Sequence, residues 1–441
     1  MPGKPARHEN TERPPAAPSR RMVVAGLSAL LSGCASTGDL IDDLMGGSGG
    51  DAPLSGERKP VLAPTTRAGK AKEPVLLPRP QRIGQWLQPG GTASNVVGNP
   101  ALAERISRRW RIKAAAASEG ANRLSAPPII VGNAICVLDA RATLRAFHAD
   151  TGRKLWQRTL APKGEDPDDG FGGGICSDGS RVFAATGFGE LVALSASGGS
   201  ELWRTRLERP LRTAPVYASG RVYVRDNGDV LHALSASGGD RLWDYQGPAG
   251  RTRLISATAP AVLGSLVVCP FSGGDLVGLS TAGNERWQYT LSAAATIADI
   301  AARPVITRAR VYGVAVQGDI AALTPAGAEV WSLPLPGRHT PWLAGNYLFH
   351  LSGRNQLHAI HAKTGLLRWQ ATLDAATHAG PVMGGGRLIV ASAGGQLLEV
   401  LAEGGQVLRR HKVGAAVYIP PVPARNSLYV LDDEGFLSRY A

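Results

Sequence analysis

Side chains capable of chemistry are thinly spread along these 441 residues. The densest acidic run is Glu165-Asp166-Pro167-Asp168-Asp169-Gly170. Carboxylates at that density suit a hard cation, but the alternating Asp-x-Asp-x-Asp-Gly order of a calcium loop is missing, so a solvated loop is expected and no metal site. His148, His232, His358 and His361 sit beside a recurring strand-like segment, where surface or edge positions are expected. Nothing has the arrangement of a Ser–His–Asp nucleophile, and no Gly-rich phosphate loop joins a strand to a helix. No catalytic residue is assigned. Of the four cysteines, Cys136, Cys176 and Cys269 fall in three separate strand-like segments without C-x-x-C spacing. Buried free thiols are expected, with a Cys136–Cys176 bridge left open.

The elements that carry these residues are repeats. An apolar–Ala–Leu stretch leads through a glycine to a tryptophan, giving Trp156, Trp203, Trp243, Trp287, Trp331 and Trp369, spaced 38 to 47 residues apart. That period suits a four-stranded propeller blade, which cannot bury both faces alone. Eight starts follow one another: Pro128, Gly174, Pro215, Pro260, Pro304, Pro341, Pro381 and Pro421. The expected fold is therefore all-β, an eight-bladed β-propeller. The eighth start supplies three strands before Ala441, so a strand near residues 108–117, carrying Trp110, is expected to complete the last blade and close the ring. The tryptophans, Trp110 included, are read as packing between blades, each indole N–H finding a backbone acceptor. Blade seven has Leu408 where the tryptophan is expected.

Four segments are expected: 1–33, 34–85, 86–107 and the propeller 108–441. Arg20-Arg21 precede a short apolar run ending in Leu31-Ser32-Gly33-Cys34. The run suits a signal peptide and is too short to span a bilayer. Its end resembles a bacterial lipobox, which implies lipidation of Cys34. Gly46-Gly47-Ser48-Gly49-Gly50 and scattered prolines mark 34–85 as a tether. Residues 86–107 read as transitional, with a short helix expected over Pro100–Ile106. The net charge is +13, of which residues 1–33 contribute about +3. It favours an anionic surface or acidic partner, whereas nucleic acid is disfavoured because no basic cluster is interleaved with aromatics.

The repeat resembles that of pyrroloquinoline-quinone (PQQ) dehydrogenases over about residues 108–441. Combined with the lipobox, the tether and a single propeller, it more narrowly resembles the BamB family, lipoproteins of the outer-membrane β-barrel assembly machinery. Thr258–Val268, Ile297–Ile306, Trp86–Gly91 and Asp169–Gly174 carry that likeness. It implies a non-enzymatic scaffold without cofactor, a monomer within a complex, held at the periplasmic face of the outer membrane. It also implies that two inter-blade loops dock on POTRA domains of BamA. Their counterparts here supply Arg251, Arg253 and Leu254 from one loop and Ile297, Asp299 and Ile300 from the other. Ala301 stands where the family has a second aspartate. A PQQ-dependent dehydrogenase, or a propeller for another envelope partner, is the alternative.

Overall fold

A sheet with an apolar stripe on each face must be covered twice, and a closed ring of such sheets covers every face at once. The computed structural model contains eight four-stranded antiparallel sheets in that arrangement. It describes residues 70–441 apart from 121, 251–257, 293–296 and 375–376. Cys34, the expected signal segment and most of the expected tether lie outside the described residues. Blade one comprises Ile129–Val131, Ala134–Leu138, Thr143–His148 and Lys154–Thr159, running from the axis outward. Blades two to seven open with Gly174–Ser177, Val216–Ala218, Ala261–Leu263, Val305–Ile306, Trp342–Ala344 and His378–Gly384. In blade eight, Val422–Ala424, Ser427–Leu431 and Phe436–Tyr440 are joined by Arg108–Lys113 as the outermost strand, with Trp110 paired to Arg439. The early strand closes the ring as the repeat count requires.

The repeat motif has a packing reason. Each tryptophan of blades one to six lies opposite a small residue on the neighbouring third strand, as in Ala146 with Trp156, Ala193 with Trp203 and Gly278 with Trp287. A β-bulge follows at this point, so the residue before the tryptophan is left outside the ladder and exposed, as Leu202 and Leu242 are. Each indole then donates to a carbonyl of the next blade. Trp110 reaches Asp150 (3.0 Å), Trp156 reaches Ala196 (3.0 Å), and Trp369 reaches Ala402 (2.9 Å). The turn glycine of that next blade lies under the ring. A Cβ on Gly199 would come within 2.5 Å of Trp156, and its φ is +67°. Gly199→Ala is expected to destabilise the fold by about 1–3 kcal/mol of overpacking, on top of backbone strain, and so to lower the urea midpoint. An unchanged midpoint would show that this junction yields freely.

Blade seven corrects the expected register by one residue. Leu408 is the exposed bulge residue, and Arg409 occupies the tryptophan position, opposite Glu399 where blades one to six place alanine or glycine. Arg409 pairs with the buried Glu399 at 3.1 Å and donates to the Glu104 carbonyl at 2.9 Å. The reason lies in the closure. Blade eight is open between its third and fourth strands, so it has no turn carbonyl for an indole. The segment leading into Arg108 presents Glu104 instead.

That leading segment is the principal departure from expectation. No helix forms over Pro100–Ile106, because the carbonyls of Ala103 and Glu104 accept from Arg387 and that of Pro100 from Gly385. Residues 70–85, read as part of the tether, pack on the propeller: Ala71 donates to Leu367, and Tyr347 to the Glu73 carbonyl. Residues 83–100 then form a belt that engages every blade in turn. The Ile83 carbonyl accepts from Arg425 of blade eight, and Trp86 exchanges both backbone bonds with Ile130 of blade one. Leu87 accepts from Ser177 of blade two, while the Gln88 amide bonds both backbone groups of Tyr217 in blade three. Ala93 and Ser94 accept from Val262 and Ile306 of blades four and five. Trp342 of blade six donates to Gly98 (2.7 Å), and Gly385 of blade seven to Pro100 (2.8 Å). Inner strands turn one open edge toward the axis, and the belt satisfies the polar groups exposed there.

The histidines also depart from expectation. His148 is half-buried, but His232, His358 and His361 are buried. His358 stacks on His350 at 6.1 Å, and neither nitrogen of its ring finds a hydrogen-bond partner among the described residues. Burial pulls His350 down to about 3 and His358 down to about 4 from an ordinary 6.5. Both stay neutral in the fold, while the unfolded chain takes up protons below pH 6.5. Their contribution is therefore complete above that pH and is lost as pH falls toward 4. Thermal melts are expected to show this loss, and His358→Leu is expected to reduce it. A variant as acid-sensitive as the parent would place the effect elsewhere.

Candidate functional site

Two neighbouring inter-blade segments, 247–260 and 291–304, carry the residues that the family resemblance singles out. A polar network built on blade three holds the base of the first. Asp226 and Asp244 take the two ring nitrogens of His232 at 3.3 and 2.7 Å. Burial opposes charge on this imidazole, but the two carboxylates outweigh it and raise its pKa. One strand turn away, Arg225 pairs with the buried Asp229 at 2.7 Å. Asp229 accepts from both the amide and the hydroxyl of Ser272 in blade four, and the Ser272 hydroxyl in turn accepts from the Gly250 amide at 2.8 Å. The start of the loop is thereby pinned to the junction of blades three and four. Arg251, Arg253 and Leu254 lie outside the described residues.

The second segment rests on blade five's own hairpin. Gln317 accepts from the Ile297 amide with its side chain and from the Ser292 hydroxyl with its carbonyl. Val316 donates to the Asp299 carbonyl at 3.3 Å. Thr258 at the end of the first segment donates to the Ala302 carbonyl at 3.2 Å, which ties the two segments together. Ile297 and Ala298 are half-buried and reach the surface, whereas Asp299 and Ile300 are buried. The buried pair shapes the loop from beneath.

Elsewhere the residues with chemical potential are spoken for. The acidic run forms a short 3-10 turn, Pro167–Gly170, capped by Asp166, and Asp168 pairs with Arg141 at 2.7 Å. Among the described residues no cluster of three or more His, Cys, Asp or Glu side chains is disposed to hold a metal. Cys136, Cys176 and Cys269 are free and buried, and burial raises the first and last to about 12. The axis, where all eight blades could serve one ligand, is crossed by the belt, with Trp86 stacked on Trp342 at 6.4 Å. Beside this stack lies a cavity lined by Trp86, Asn95, Arg303, Thr340, Pro381 and Pro421. Sequence reading missed the belt and the His232 network; the amides Gln88, Asn95 and Asn99 beside Trp86 were the available signal.

Comparison with known proteins agrees with this architecture. The family model described as outer membrane protein assembly factor BamB matches residues 140–371 and 356–441. The chain is 26% identical over 108 residues to the outer membrane protein assembly factor BamB of Yersinia pestis, covering 24% of this chain and 28% of that one. It is 27% identical over 101 residues to the Salmonella typhimurium protein of the same name, covering 21% and 24%. The matched stretch thus spans about a quarter of the curated relatives' length. Among solved structures, BamB from Moraxella catarrhalis has a TM-score of 0.66 at 19% identity, covering 76% of this chain and 99% of that one. The quinohemoprotein alcohol dehydrogenase of Comamonas testosteroni also scores 0.66, at 13% identity, covering 82% and 81%. At these identities the structural likeness shows the fold.

Proposed function

Because the chain belongs to the family of outer membrane protein assembly factor BamB, we propose that it is a non-enzymatic scaffold of the β-barrel assembly machinery, docking on the POTRA domains of BamA. The observation that carries this reading is the pair of inter-blade segments tied together by Thr258 and Ala302, each anchored by its own polar network. A rigid ring that holds two loops side by side is suited to recognition. Ile297 makes the apolar contact from the second loop, with Asp299 and Ile300 holding it in shape. Arg251, Arg253 and Leu254 contribute from the first. A lipid on Cys34 keeps the disc at the periplasmic face of the outer membrane. The dehydrogenase alternative shares the fold.

Photocrosslinkers placed at Leu254 and Ile297 in intact cells test the docking. Both positions are expected to capture BamA. Leu254→Lys is expected to weaken capture from Ile297 by about tenfold or more, as charging a central apolar anchor does. Capture of BamA from blade seven, with none from these loops, would overturn the assignment.

A further inference from the structure

The perimeter of the disc is electrically lopsided. Its outermost strands on blades seven, eight and one, Val407–Lys412, Arg108–Lys113 and Lys154–Thr159, carry nine Arg and Lys residues and no carboxylate. On the opposite side, Arg241–Gln246, Glu285–Thr290 and Glu329–Leu333 of blades three, four and five carry two cations and three carboxylates. The basic strands form one continuous arc: Arg108 of blade eight donates to the Val413 carbonyl at the end of blade seven, and Trp110 to Asp150 of blade one. Some of its charge is answered locally. Arg410 pairs with Asp374, Arg111 with Asp432 and Glu434, and Arg409 with Glu399. Arg109, Lys154 and Lys412 are exposed and have no ion-pair partner among the described residues.

We propose that this arc is a docking surface for a bilayer rich in anionic phospholipid. Two observations choose a membrane over an acidic protein. The arc exposes Leu155, Val407 and Leu408 among its cations, the mix of apolar and basic side chains that suits the headgroup region of a bilayer. The chain also joins the disc beside it: Lys70 pairs with Leu367 in the outer strand of blade six, next to blade seven. The described chain therefore enters the disc at the blade next to the cationic arc. The rim that faces the leaflet lies across the ring from the two loops on blades four and five, which leaves those loops turned toward the periplasm. The role of the anchor rests on the function proposed above, whereas the charge distribution does not. Attraction of this kind acts within about 8 Å at physiological ionic strength, so it orients a disc already held nearby.

The test uses the full chain with Cys34→Ser, so that no lipid contributes. Cosedimentation is measured with vesicles of phosphatidylcholine alone and of phosphatidylcholine with phosphatidylglycerol. Binding is expected only to the anionic vesicles and is expected to vanish at high salt. The triple variant Arg109→Glu/Lys154→Glu/Lys412→Glu is expected to weaken it by about tenfold or more. Arg241→Glu/Arg286→Glu/Arg308→Glu, with the same change in net charge on the opposite side, is expected to leave it nearly intact. Absence of binding to anionic vesicles, or equal loss in the two triple variants, would overturn the proposal. So would an arc variant that keeps vesicle binding and loses a crosslinked protein. Crosslinking to BamA from Leu254 and Ile297 reads the loops independently and distinguishes failure of one proposal from failure of the other.

Discussion

A chain ending at Glu434 will not yield a soluble monomer. The missing residues include Phe436–Tyr440, which lie between Ser427–Leu431 and Arg108–Lys113 in blade eight. Their removal leaves Arg108–Lys113 with no partner strand in that sheet and Ser427–Leu431 with Val422–Ala424 alone, and withdraws the buried Leu437 and Tyr440 from the core shared by blades six, seven, eight and one. It also deprives Asp432 of the Phe436 amide, and leaves Arg111 without the Phe436 ring under its guanidinium. Two long edges with unpaired N–H and C=O groups then face solvent, which promotes edge-to-edge association. Light scattering after size-exclusion chromatography is expected to find aggregates or no folded protein. A monomeric truncation that melts like the parent would mean that seven blades suffice and that blade eight is an appendage.

The second large effect is expected at the belt. The double variant Trp86→Ala/Gln88→Ala removes a buried indole from its stack on Trp342 and an amide that makes bonds to both Ser177 and Tyr217. Loss of a buried aromatic costs about 3–5 kcal/mol. Each lost hydrogen bond adds about 1 kcal/mol. Urea denaturation is expected to register most of that sum. Hydrogen exchange separates this effect from general weakening. The amides of Ser177, Val262 and Ile306, which donate to Leu87, Ala93 and Ser94, should lose protection before those of the middle strands. If the midpoint is unchanged and these amides stay protected, the belt is a passenger and the inner edges are satisfied by other means.

The architecture was legible in the sequence because it repeats. A tryptophan returning every 38 to 47 residues, with a small residue before it and a glycine between, encodes a sheet that needs a copy of itself on either side. Local chemistry was enough for the turns, the eight blade starts and the closing strand around Trp110. The two loops that the family resemblance singles out also fall next to each other in the ring, since consecutive blades are neighbours. The order of the blades therefore follows from the order of the chain.

What escaped sequence reading is whatever depends on residues far apart in the chain. Arg409 could not be distinguished from Leu408 as the tryptophan equivalent, because the bulge that sets the register is decided by pairing with Glu399 and by the absent turn of blade eight. The burial of Asp299 depends on the packing of the loop against blade five's hairpin, and no periodicity reports it. The belt is the fullest case. Residues 83–100 carry no repeat and no strand alternation, and their backbone groups find partners as distant as Ile306, Trp342 and Arg425. Such a segment has no preferred conformation until eight inner edges converge on one axis. Repetition along the chain was enough to specify the ring; only the assembled ring could specify how this segment lies across it.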